Sequence, residues 1–202
     1  MPRYSFIYLA SQSPRRKQLL EQLGVNFQLL LPDANEDAEA LEVVRPSEKP
    51  RAYVQRVTAL KLDAALQRLK NRGLPSAPVL CSDTTVALGN TLFGKPDNAE
   101  HAKKMLRQLS GQTHRVLTAV SIGTMRKQSS ALSISQVRFA DLSKQDIDRY
   151  VASQEPLGKA GSYAIQGKAA AFVSHISGNY SGIMGLPMFE TAYLLREFGF
   201  TV

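Results

Sequence analysis

The chain has 202 residues, 44% hydrophobic and 21% charged, with a formal net charge of +8. That length supports a full apolar core in a single domain, 1–202, in two lobes; no apolar run approaches the ~20 residues of a membrane span, and the start lacks a signal-peptide pattern, so a cytoplasmic protein with no membrane partner is expected. Cys81 is the only cysteine, which excludes an internal disulfide, and with 3 histidines in the chain an ordinary zinc site is excluded too.

Any metal would therefore be a hard cation on carboxylates. The positive charge calls for a polyanion. Yet the basic residues are spread along the chain and there is no tryptophan for base stacking, so no stable nucleic-acid partner is expected.

Taken in order, Phe6 to Ala10 reads as a buried strand that stops at Ser11 and Gln12 and delivers Ser13-Pro14-Arg15-Arg16. Ser13 suits an N-cap, and Pro14 suits the first helical position, where its missing N–H costs nothing. The open N–H groups and positive end of the helix then converge with Arg15 and Arg16, a combination suited to phosphate. Alone, the same residues would serve equally well as the start of a surface helix with solvated arginines. Leu19, Leu20 and Leu23 follow at helical spacing, and Gly24 ends the helix.

Phe27 to Leu31 reads as a second strand, and Pro32 to Glu39 as an acidic loop in a basic protein. Such a loop is a candidate cation ligand, although acidic loops more often serve solubility. A helix is predicted over 46–72, with Tyr53, Val57, Leu60, Ala64 and Leu69 as its apolar stripe. Val79 to Leu88 is a strand with an acid, Asp83, in its middle. An unpaired carboxylate there would be costly, so Asp83 has to be paired, bound to a cation or facing a cleft.

Gly89 to Lys95 matches the start of a phosphate-binding P-loop, but Pro96 stands where a Ser or Thr should be, and Thr91-Leu92-Phe93 reads as a strand. A P-loop is rejected; Lys95 remains as a single charge. Asp97-Asn98-Ala99-Glu100 has the form of a capping box before a helix that ends at Ser110-Gly111. His114 to Gly123 and Ala131 to Phe139 read as a β-hairpin, and Ser143 to Asp146 as the cap of a further helix. A short strand is expected between the glycines of Lys159 to Gly167, another over 169–176, then a loop over 177–182 and a final helix from Leu186-Pro187 to Gly199. The loop has GxxSG order, not the GxSxG of a nucleophile elbow. The class is α/β, mixed α+β, with a partly antiparallel sheet.

Ser11, Ser13-Pro14-Arg15-Arg16, Ser82-Asp83-Thr84, Gly94-Lys95-Pro96, Ser110-Gly111-Gln112-Thr113-His114, Ala164-Ile165-Gln166-Gly167 and Gly185-Leu186-Pro187 together resemble the Maf family of nucleoside triphosphate pyrophosphatases, in order along nearly the whole chain. The resemblance implies an elongated mixed sheet flanked by helices, two lobes with a deep central cleft, and likeness to the inosine triphosphate pyrophosphatases. It also implies hydrolysis of a nucleoside triphosphate to monophosphate and pyrophosphate with a divalent cation, Mg²⁺ or Mn²⁺.

Within the family, Arg15-Arg16, Asp83-Thr84 and Ile165-Gln166-Gly167 are similar to the branch acting on dTTP and UTP. The branch acting on 7-methylguanosine triphosphate usually carries tryptophan for the first arginine, glutamine after the aspartate and glutamate at the Gln166 position. The sequence departs from the family around Lys61, which is flanked by Leu60 and Leu62 instead of Glu and Ala, and at Gly158, where a charged residue is common.

On these residues, Arg15, Arg16, Lys61 and Lys95 supply the positive charge a triphosphate needs, with Ser11 and Ser13 beside them. Glu36 and Asp83 are the expected metal carboxylates, and Asp83 also the proton acceptor for water. Gln166 offers the donor and acceptor that match a thymine or uracil edge, with Thr84 helping to lock its amide. A pyrophosphatase acting on 7-methylguanosine triphosphate or broadly on modified nucleotides, a non-enzymatic regulator of cell division that binds nucleotide or nucleic acid, and a homodimer remain open at this point.

Overall fold

The computed structural model describes residues 4–33, 36 and 40–202. Among them the strands are β1 (Ile7–Leu9), β2 (Phe27–Leu29), β3 (Val79–Leu88), β4 (Thr91–Phe93), β5 (Thr113–Gly123), β6 (Gln128–Phe139) and β7 (Val173–Ser177). The helices are α1 (Pro14–Gln22), α2 (Pro50–Asn71), α3 (Ala99–Leu109), α4 (Lys144–Ala152), α5 (Tyr180–Met184) and α6 (Met188–Glu197). This is a mixed α/β architecture with a 7-stranded sheet in the order β2-β1-β3-β5-β6-β7, β4 being added against β3.

The helical crossovers α1 and α2 make β1, β2 and β3 parallel, while tight hairpins make the pairings of β3 with β4 and of β5 with β6 antiparallel. The period-2 alternation of side chains sorts the core into layers. Ile7 and Leu9 pack with Leu20, Ile122 and Leu194 on one face, while Tyr8 between them packs with Leu62, Leu66 and Cys81 on the other. A further cluster, including Val86, Leu106, Phe139 and Tyr163, fills the space between the far ends of β3 and β5 and helices α3 and α4.

One detail of register sets up everything that follows. Strand β5 pairs with β3 continuously from Val79 to Ala87. On the opposite edge β1 pairs only with Val79 and Leu80, and β4 only with Val86, Ala87 and Leu88. Among the described residues no strand covers that edge of β3 from Ser82 to Thr85, and Asp83 lies in the gap.

Several sequence expectations are corrected. Helix α2 begins at Pro50, not Pro46, because Ser47 takes a left-handed φ of 59° that a helix cannot continue through. Its buried stripe runs through Val54, Thr58, Leu62 and Leu66, which leaves Leu60 and Ala64 only half-buried. The expected strand within Lys159 to Gly167 is a 3₁₀ turn at Ala160–Ser162, since Gly161 (φ 68°) and Ser162 (φ 63°) double the chain back.

The strand expected from Ala169 starts only at Val173, after a 3₁₀ helix over Lys168–Phe172. The loop expected over 177–182 contains the start of α5. The P-loop look-alike is a β-hairpin turn and β4. Ala34, Asn35 and Asp37 to Glu39 of the acidic loop lie outside the described residues.

Candidate active site

The turn after β1 meets the sequence expectation with one change. Ser13 occupies the N-cap position, but its side chain makes no cap. Instead Ser11 Oγ accepts from the Ser13 N–H at 3.2 Å and from Arg16 Nη1 at 3.1 Å. The first turn of α1, with Pro14 inside it and no capping side chain, therefore keeps backbone donors for a ligand.

Both arginines are anchored by their Nε atoms: Arg15 donates to the Met184 carbonyl at 3.2 Å, and Arg16 to that of Gly185 at 2.9 Å. Gly185 closes α5 with a φ of 115°, which favours glycine. Its carbonyl is also 3.0 Å from Ser82 Oγ. The Gly185-Leu186-Pro187 motif is thus the bracket that holds α1 against β3. Burial lowers the pKa of Arg15 and of Arg16, an effect that the negative charge of Asp83 opposes at Arg16.

At the gap in β3, Asp83 is 8% exposed and its Oδ1 accepts from Lys61 Nζ at 2.6 Å. Lys61 Nζ also donates to Glu42 Oε1 at 2.7 Å, and Lys95 Nζ to Glu42 Oε2 at 3.1 Å. Glu42 ends a 3₁₀ turn, Ala40–Glu42, whose position is fixed by the Tyr53 hydroxyl donating to the Glu42 carbonyl at 2.9 Å. Burial works against the Lys61 ammonium, but the Asp83 and Glu42 carboxylates outweigh it and raise its pKa. Burial likewise works against the Glu42 carboxylate, and the two lysines outweigh it and lower its pKa. The result is an alternating chain of charges, Asp83, Lys61, Glu42, Lys95.

Glu36, expected as a metal ligand with Asp83, is paired with Arg68. Arg68 holds it in a two-pronged pair, Nε to Oε1 at 2.8 Å and Nη2 to Oε2 at 2.6 Å, and is itself tied to the Leu30 carbonyl at 3.0 Å. Those hydrogen bonds hold the Glu36 carboxyl down to about 2. The carboxylate that shares Lys61 with Asp83 is Glu42.

Gln166 stands exposed on a turn closed by Gly167 N–H donating to the Ala164 carbonyl at 3.0 Å. The turn is braced from behind. The Tyr150 hydroxyl donates to Glu155 Oε1 at 3.0 Å and accepts from Ala164 N–H at 3.3 Å, and Lys168 N–H donates to Glu155 Oε2 at 3.1 Å. A Cβ on Gly167 would lie 2.3 Å from Glu155 Oε1, so a larger residue there would push aside the carboxylate that braces the turn. On the preceding residue, the Tyr163 hydroxyl is 2.8 Å from Nε2 of His114, whose pKa burial pushes down to about 4. Thr84 Oγ1 lies 3.0 Å from Thr118 Oγ1.

These groups share one cleft of about 1010 Å³. Every residue nominated from the sequence lines it: Ser11, Ser13, Arg15, Arg16, Glu36, Lys61, Asp83, Thr84, Lys95 and Gln166. Glu42, Tyr53, Arg68 and Lys159 line it as well and were not nominated. Arg68 had a signal: it sits seven residues after Lys61 on the same helix, two turns on and hence on the same face. Glu42 had none, since a 3₁₀ turn beyond a loop has no periodicity to read.

Among the described residues no group of three or more His, Cys, Asp or Glu side chains is assembled to hold a metal. The donor set suits a hard cation that arrives with its own phosphate ligands and waters and needs only one or two protein carboxylates.

A basic cleft built around a buried acid, at a gap in a mixed sheet, defines an anion-binding α/β protein. The chain belongs to the Maf family: the family described as Maf-like protein matches residues 6–198. A protein of Albidiferax ferrireducens called dTTP/UTP pyrophosphatase is 70% identical over 197 residues, covering 98% of both chains. Proteins given the same name in a Polaromonas species and in Cupriavidus metallidurans are 62% identical over 100% of both chains and 65% identical over 96% of this chain and 98% of theirs. The structure of the Staphylococcus aureus Ham1 protein aligns with 95% of this chain and 96% of its own at a TM-score of 0.43 and 12% identity, a likeness too loose to place any residue.

Proposed function

We propose that this chain is a nucleoside triphosphate pyrophosphatase that hydrolyses dTTP and UTP to the monophosphate and pyrophosphate, removing unwanted nucleotides from the cytoplasmic pool. The observation that carries the reading is Asp83, a buried carboxylate where the described strands leave the edge of β3 uncovered, set between the α1 turn with Arg15 and Arg16 and the lysines Lys61 and Lys95. The names of the relatives at 62–70% identity support the choice of pyrimidine substrates.

In this mechanism the triphosphate lies along the cleft, its charge met by Arg15, Arg16, Lys61 and Lys95 and by the open end of α1. Anchoring by Nε leaves the outer guanidinium nitrogens of Arg15 for phosphate oxygens. Lys61 holds Asp83 Oδ1, and the second carboxylate oxygen takes a proton from the water that attacks the α-phosphorus. The bond from the α-phosphorus to the bridging oxygen breaks as the new phosphorus–oxygen bond forms, and pyrophosphate departs with the displaced electron pair, its charge met by the cations.

Asp83 is the carboxylate at the centre of this route, and Glu36, the other carboxylate expected to hold a cation, lines the same cleft. Arg68 holds Glu36 through both carboxylate oxygens, each of which keeps a further lone pair that a cation could use. A bound Mg²⁺ or Mn²⁺ would make the attacking water more acidic and neutralise the phosphates. Gln166 presents its amide to the base, donating to O4 and accepting from N3–H, on the turn braced by Tyr150 and Glu155.

Steady-state pyrophosphate release from a panel of triphosphates, with and without a divalent cation, tests the reading. Preference for dTTP and UTP with the cation present is expected. Equal turnover of all bases would remove the pyrimidine assignment, preference for 7-methylguanosine triphosphate would move the chain to the other branch, and no turnover at all would sink the enzyme reading.

A further inference from the structure

We infer that Glu42 is a built-in placeholder for a phosphate group: its carboxylate occupies Lys61 and Lys95, the two lysines that would bind phosphate, and must be displaced for a triphosphate to enter. The inference rests on reading the cleft as a triphosphate site, and it adds a residue that nothing in the sequence pattern nominated.

The geometry is that of a substrate mimic. One oxygen of Glu42 accepts from Lys61 at 2.7 Å and the other from Lys95 at 3.1 Å. Lys61 comes from α2 and Lys95 from the chain just after β4, so a single carboxylate spans two walls of the cleft, as a bridging phosphate would. Both lysines lower the pKa of Glu42, so it is held in the anionic form that competes with phosphate.

Its tether is short but not rigid. Glu42 closes a three-residue 3₁₀ turn, is held through its backbone carbonyl by Tyr53, and its side chain keeps 25% of its surface. The side chain can therefore swing out while the turn stays in place. Displacement also releases Lys61 to bridge Asp83 and the incoming phosphate. After hydrolysis the same carboxylate can return to the lysines and help to eject pyrophosphate.

A site filled by its own side chain binds ligand more weakly in proportion to the fraction of time it is open. If Glu42 covers the lysines about nine-tenths of the time, Glu42→Gln should tighten anion binding on the order of tenfold. The probe is inorganic tripolyphosphate, titrated by calorimetry into wild type and Glu42→Gln in a chelator-containing buffer at fixed ionic strength. Glu21→Gln, which removes the same charge from an exposed position on α1 outside the cleft, serves as control.

Tighter binding in Glu42→Gln but not in Glu21→Gln is expected. With UTP the same variant should show a lower KM, a kcat that does not rise, and stronger product inhibition by pyrophosphate. Unchanged or weaker tripolyphosphate binding in Glu42→Gln would overturn the inference, as would a gain equal to that of Glu21→Gln, and weakening seen only when Mg²⁺ is present would make Glu42 a metal ligand instead. The binding measurement needs no turnover, so failure of the substrate assignment and failure of the placeholder are read separately.

Discussion

His114 offers a prediction whose size follows from its surroundings. It is 1% exposed on β5, packed edge-on against Phe139 and Tyr163, with Nε2 at 2.8 Å from the Tyr163 hydroxyl and Nδ1 without a hydrogen-bond partner among the described residues. Burial pushes its pKa from 6.5 down to about 4. The unfolded chain therefore takes up this proton first as pH falls. The stability that comes from keeping the imidazole neutral is complete above about pH 6.5, declines as pH drops below it, and is gone near pH 4.

Integrating that difference from pH 8 to pH 5 gives a loss of roughly 2 kcal/mol from this one residue. The assay is urea unfolding followed by tyrosine fluorescence, for which the 7 tyrosines suffice in the absence of tryptophan. His114→Gln keeps a polar group for Tyr163 and removes the titration. Wild type should lose about 2 kcal/mol more than the variant between pH 8 and pH 5. Equal losses in the two proteins would refute the argument and mean that His114 accepts its proton in the folded state. Because Tyr163 sits beside the turn that carries Gln166, the same variant also tests whether that turn depends on the histidine behind it.

Asp83→Asn should reduce turnover by ~10² to 10⁴ with the fold intact, since it removes a proton acceptor while Lys61 keeps Glu42 as a partner; near-normal kcat would remove Asp83 from the chemistry. Arg16→Ala should depress kcat/KM for every base alike, and a loss confined to one base would place that arginine in the base pocket. Gln166→Glu replaces a donor–acceptor amide by an acceptor-only group, so kcat/KM for UTP relative to GTP should fall on the order of ten- to a hundredfold. An unchanged ratio would mean that Gln166 does not read the base.

The parts of the site carried by regular elements were legible in the sequence, because there the chemistry sits on a pattern. Asp83 stood out as a charge inside an apolar strand, and Ser13-Pro14-Arg15-Arg16 as a helix start with cations attached. What was hidden depends on contacts between distant segments. Glu42 acquires meaning only when folding brings Lys61 and Lys95 to it, and the pairing of Glu36 with the buried Arg68 joins two segments far apart in the chain. The stretch from Lys159 to Gly167 alternated well enough to pass for a strand. Its left-handed residues Gly161 and Ser162 decide otherwise, and a Cβ at Gly161 would meet Val86 at 2.8 Å.

The uncovered edge of β3 between Ser82 and Thr85 has a consequence for how this protein behaves in a crowd. Strand backbone left without a neighbour is a template on which another chain can add itself, and proteins usually blunt such edges. Here the opening is recessed in a cleft and ringed by Arg15, Arg16, Lys61 and Lys95, on a molecule whose net charge is +8. A second copy approaching the opening meets charge of its own sign, whereas a small anion is drawn in. The cations proposed to meet phosphate would thus also oppose the addition of a second copy at the strand edge, and added salt, by screening them, would weaken attraction and protection together.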